Sequence, residues 1–82
     1  MEPEANKYRE SGLLEGRYAN YFEIGHNAYE FLCDFGQAYE GGEKAQIHTR
    51  IIIGPKYAQA LCKLLGESID RYEQTFGVIP ED

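Results

Sequence analysis

At Gly54 and Pro55 the hydrophobic pattern of this chain changes period, from two residues to about 3.6. Upstream, AQIHTRIII (Ala45 to Ile53) alternates, with Ile47, Thr49, Ile51 and Ile53 on one face and Gln46, His48, Arg50 and Ile52 on the other. Its β-branched density predicts a strand. Downstream, Ala58, Leu61, Cys62, Leu65, Ile69, Tyr72 and Phe76 recur at three- and four-residue steps, the stripe of an amphipathic helix. Pro55 suits the first helical position, because its missing amide would have no partner there. Gly77 supplies a positive-φ stop, Val78 and Ile79 can fold back on the last turn, and Pro80 forbids continuation. A strand joined directly to a long helix predicts a sheet closed by that helix, with Cys62 on the buried stripe. Gly66 costs the helix ~1 kcal/mol relative to Ala, so a close backbone approach to the sheet or a second subunit is expected at that point.

Two more strands precede this junction. In RYANYFEIGH, Tyr18, Asn20, Phe22 and Ile24 alternate with Ala19, Tyr21, Glu23 and Gly25. In YEFLCDFG, Tyr29, Phe31, Cys33 and Phe35 oppose Glu30, Leu32, Asp34 and Gly36. Asn tolerates positive φ, so a turn centred on Asn27 and Ala28 is the natural join. It would pair Ile24 with Phe31, Phe22 with Cys33 and Asn20 with Phe35, placing the apolar sets on one face. AYEGGEK (Ala38 to Lys44) is the next loop, because Gly41 and Gly42 impose no φ preference. The resulting fold class is α+β: a three-stranded antiparallel sheet followed by one long C-terminal amphipathic helix. Residues 1–16 have no sustained period and are expected to be a flexible leader, with Leu13 and Leu14 either docked on the sheet edge or mobile. Residues 17–79 form the domain, and 80–82 a tail.

Length and charge limit the function classes. A chain of 82 residues buries only ~60% of its unfolded surface, so a lone monomer has a thin core. The net charge of -6 repels phosphate backbones and anionic membranes, which disfavours nucleic acid as a partner. Cys33 and Cys62 have no CxxC spacing and no secretory leader upstream, so no disulfide framework is indicated and a cytoplasmic protein is expected. No window approaches the ~20 apolar residues of a membrane helix.

Among polar residues, Glu23, Asp34, His48 and Arg50 fall on the face opposite the apolar set. A histidine oriented by a carboxylate is the raw material of general acid–base chemistry. The competing reading is a solvated face of cross-strand charge pairs, on an open sheet that lacks the concavity of most catalytic sites. His26 and His48 have no metal-ligand spacing, and His26 is expected to hydrogen-bond the turn. Cys33 and Cys62 fall on core positions, where a thiol behaves as a small apolar group. The glycines match no phosphate-binding loop, and no cofactor is indicated. On the helix, Tyr57, Ala60 and Leu64 form a second, shorter apolar line, which either covers the helix start or packs on another copy.

The stretch RYANYFEIGHNAYEFLCDFG, the TRIIIGPKYAQAL entry to the helix and the closing RYEQTFGVI resemble, in order and spacing, a family of small prokaryotic proteins known only as a domain of unknown function. The resemblance covers Arg17 to Ile79 and implies no activity, cofactor or catalytic residue. Asn20, Glu30, Asp34, Arg50 and the run Tyr72 to Gly77 belong to its pattern. Gly54 stands where members of that family often carry Ser or Thr, so the side-chain cap of the helix is missing.

A single small sheet with open edges is completed most cheaply by self-association. The expected function is therefore a non-enzymatic interaction module acting as a homodimer or a protein-partner adaptor, through a sheet edge or the line Tyr57, Ala60 and Leu64. A nucleic-acid-binding dimer using Tyr18, Tyr21, Tyr29 and Arg50 is one alternative. A small enzyme built on His48 and Asp34 is another.

Overall fold

The computed structural model describes residues 12–42 and 44–81. Strands β1 (Tyr21–His26), β2 (Phe31–Gln37) and β3 (Gln46–Ile53) form an antiparallel sheet in the order β1-β2-β3, and helix α1 (Pro55–Phe76) follows. This is the α+β arrangement that the change of period at Gly54 and Pro55 implies. The leader residues up to 11 lie outside the described range, whereas Leu13 and Leu14 are both exposed.

The register differs from the expected one by two residues, and the reason lies in the β1–β2 turn. Phe22 pairs with Phe35, Ile24 with Cys33 and His26 with Phe31. The connection is the four-residue loop Asn27 to Glu30 rather than a two-residue turn. The Asn27 side-chain oxygen accepts from the amides of Tyr29 (2.7 Å) and Glu30 (2.9 Å), and the Asn27 amide donates to the Glu30 carbonyl (3.0 Å). An Asx turn of this kind competes with the ladder for backbone donors, so β2 begins at Phe31 and not at Tyr29. A shift of two keeps every side chain on its expected face. His26 does not serve the turn as expected; its ring lies 5.3 Å from that of Phe31.

β1 begins at Tyr21, later than the Tyr18 expected from alternation, because Asn20 takes over the pairing. Its side-chain nitrogen Nδ2 donates to the Ala38 carbonyl (3.1 Å) while its side-chain oxygen accepts from the Ala38 amide (2.8 Å). The chain before it reaches over to β3, where His48 bonds the Tyr18 carbonyl (3.0 Å). A bulge between β2 and β3 sets Phe35 opposite Thr49 but Gly36 opposite Ile47, leaving His48 as the extra residue. Glycine is required at position 36, since a Cβ there would collide with the Gln46 carbonyl oxygen.

The helix has the expected limits. Gly54 caps it without a side-chain hydrogen bond. At the other end, Gly77 has φ 99° and its amide donates to the Glu73 carbonyl (2.9 Å). The Ile79 amide returns to the Glu73 carboxylate (3.1 Å).

The helix does not close the sheet, which corrects the packing expected from the sequence. No helical residue is buried. Leu61, Cys62, Leu65, Ile69, Tyr72 and Phe76 all face solvent, and only Ala58 and Glu73 are partly covered. Nothing approaches Gly66 either. The physical cause is the connector. Gly54 alone separates β3 from α1, in extended conformation (φ -74°, ψ 161°), whereas βα connections that lay a helix on its sheet typically use two to six residues. Among the described residues, burial is confined to the central strand, at Cys33, Asp34 and Gly36.

Candidate functional site

Alternation in the three strands separates two faces. On one, Glu23, Asp34 and Arg50 stand in a single cross-strand row. Arg50 grips Asp34 with both prongs of its guanidinium, Nε to Oδ1 at 2.8 Å and a terminal nitrogen to Oδ2 at 2.9 Å. This bidentate geometry is the strong form of the pair, and it holds the Asp34 carboxyl below the usual carboxylate range, against the burial that works to raise it. The same bond raises Arg50. Tyr21 donates its hydroxyl to the Glu23 carboxylate (2.5 Å), and that bond pushes the phenol above its ordinary value.

Each member of this row is therefore committed to a neighbour. Asp34 is ionised with both oxygens occupied, and a guanidinium has no proton to give at neutral pH. The Arg50–Asp34 pair works as a latch between β3 and β2, while the Glu23 bond stays within β1.

His48, the fourth residue expected on this face, is not part of the row. As the extra residue of the bulge it turns toward the segment before β1. A carbonyl can only accept, so Nε2 donates to Tyr18, and Nδ1 shares a hydrogen bond with the Thr49 hydroxyl (2.7 Å). The structure thus brings Glu23, Asp34 and Arg50 together and leaves His48 apart. Among the described residues, no three His, Cys, Asp or Glu side chains gather in a group that could hold a metal ion.

The opposite face carries Phe22, Ile24, Phe31, Cys33, Phe35, Ile51 and Ile53. Phe22 and Phe35 meet edge to face at 5.8 Å, yet Phe22 remains 55% and Ile24 63% exposed. At one end this face opens into a groove of about 520 Å³, with walls that include Leu14, Arg17, Phe35, His48 and Ile51. Cys33 is buried beneath it as expected, whereas Cys62 on the helix is exposed, because the stripe it belongs to has nothing against it.

On α1, Tyr57 and Leu64 are 62% and 63% exposed, and Ala60 is exposed beside them. Lys56 extends its ammonium over the Tyr57 ring at 5.6 Å. This line forms one shoulder of the main stripe rather than a separate surface, so the helix presents one wide apolar face.

Sequence reasoning put the turn at Asn27 and Asn20 in the strand, but passed over the side-chain bonds by which the two brace the ends of β1. Their signal was available: an Asn at each limit of an alternating run, where short polar side chains bond the backbone. Gly36 was placed on a face but not recognised as a point of close approach.

No described helix is long and apolar enough to cross a membrane. A model of the family described as a protein of unknown function (DUF3467) matches residues 2–81, taking in the leader as well as the sheet and helix. No curated protein and no solved structure matches the chain significantly.

Proposed function

The chain belongs to that family of unknown function, and we propose that it is a non-enzymatic interaction module that acts as a homodimer. The observation that carries this reading is the helix with no buried residue, standing beside an apolar sheet face on which Phe22 and Ile24 are more than half exposed and Ile51 nearly so. Soluble monomers rarely leave surfaces of this kind open. The polar row supports a module rather than an enzyme, since its charged groups are already bonded to neighbours within the sheet.

Sedimentation velocity across a micromolar dilution series tests the proposal. A species of twice the chain mass is expected, dissociating on dilution. A monomer at every micromolar concentration would overturn it. His48→Ala is expected to leave the dimer intact, because the ring bonds only its own chain.

A further inference from the structure

The two uncovered surfaces belong to one chain that does not bring them together. The sheet presents Phe22, Ile24 and Ile51, and the helix presents Leu61, Leu64, Leu65, Ile69, Tyr72 and Phe76, each 40% exposed or more. Gly54, a single extended residue, sends the helix away from β3 and gives it no loop in which to reverse. The stripe and the sheet face therefore have matching chemistry, and a connector keeps them apart.

Resting on the homodimer proposed above, we infer that two copies exchange helices: the α1 stripe of each protomer lies on the apolar sheet face of the other. One two-fold axis then covers both surfaces twice, because an isologous pair uses the same two patches reciprocally. Dimensions agree. A helix of 22 residues is ~33 Å long, and a strand of 8 residues is ~27 Å long. The nine side chains just named expose on the order of 900 Å² per copy, taking roughly 150–200 Å² for each when open. A pair could bury about 1,800 Å² from these alone, within the ~1,200–2,000 Å² of specific stable interfaces. Gly66, which nothing in its own chain approaches, gains a reason for its place on the helix if the partner sheet passes close to it.

Cys62 lies on the stripe and is a natural reporter. A Cys33→Ala chain, with Cys62 as its one thiol, is mixed with a tagged chain in which Cys33 and Cys62 are both replaced by Ala and a sheet thiol is introduced at Phe22→Cys, Ile24→Cys or Ile51→Cys. The pair is then treated with a short bismaleimide. Exchange predicts a cross-linked heterodimer from at least one sheet position. If sedimentation shows a dimer but no sheet position links to Cys62, exchange is overturned while the homodimer stands. A monomer overturns both. If a single Cys33→Ala chain holding Ile24→Cys and the native Cys62 cross-links within itself at monomer mass, the helix folds back on its own sheet, and the inference fails.

A second variant needs no new thiol. Inserting four Gly or Ser residues after Gly54 supplies the missing loop, so each helix can cover its own sheet and the dimer is expected to become a monomer. An unchanged dimer mass would show that the short connector does not enforce exchange, and would overturn the inference.

Discussion

β2 and α1 carry comparable apolar patterns, yet β2 holds the buried Cys33, Asp34 and Gly36 while α1 holds no buried residue. A strand at the centre of a sheet is covered on two sides by its neighbours, whichever way its side chains point. A helix gains nothing from neighbours of that kind and must find a facing layer. Among the described residues burial comes from strand pairing, and the second layer is what the proposed partner copy supplies.

This contrast can be broken from either side. The largest expected effect is on association: Leu65→Asp places a charge in the middle of the stripe and should weaken the dimer by 100-fold or more, about 2.7 kcal/mol, with little change in the strand signal by circular dichroism. Sedimentation equilibrium reads the constant, and an unaltered constant would remove α1 from the interface. On the β2 side, Gly36→Ala forces Cβ into the Gln46 carbonyl and should cost about 2–3 kcal/mol in urea unfolding. An unchanged midpoint would mean that the bulge yields easily. Asn20→Ala removes two bonds to the Ala38 peptide group and should cost about 1–2 kcal/mol, with faster amide exchange at Ala38.

The Asp34 latch gives a smaller, pH-dependent effect. Arg50 lowers the folded-state pKa of Asp34 below its ordinary 3.8, so its contribution is complete well above 3.8 and is lost as pH falls from there through the lower folded-state value. Asp34→Asn should flatten this part of the acid limb of an unfolding profile; an acid limb identical in wild type and variant would show that the latch is unlinked to stability. Arg50 is 59% exposed, so water and salt screen the pair and keep the effect modest. Smallest, and opposite in sign, is Gly54→Ser. It adds the absent side-chain cap and should stabilise the protein by a few tenths of a kcal/mol, read as a slight rise in melting temperature.

Local chemistry made much of this fold legible. Pro55 and Gly77 bound the helix because one lacks an amide and the other accepts positive φ, and both facts belong to single residues. Alternation assigned Phe22, Ile24, Cys33 and Ile51 to one face and Glu23, Asp34 and Arg50 to the other. Register was less legible, since Asn27 bonds the backbone through its side chain and lengthens the turn without disturbing any period. His48 was misplaced for a related reason. A bulge adds a residue to one strand only, so counting along that strand carries no trace of it.

The amino-acid sequence by itself determined the order of elements, the limits of α1 and the sorting of side chains into faces, all consequences of backbone stereochemistry and period. Only the tertiary structure decided that the helix stripe and the sheet face fail to meet within one chain. Amphipathicity specifies that an apolar surface must be covered, but the length and direction of the Gly54 connector determine which chain can cover it.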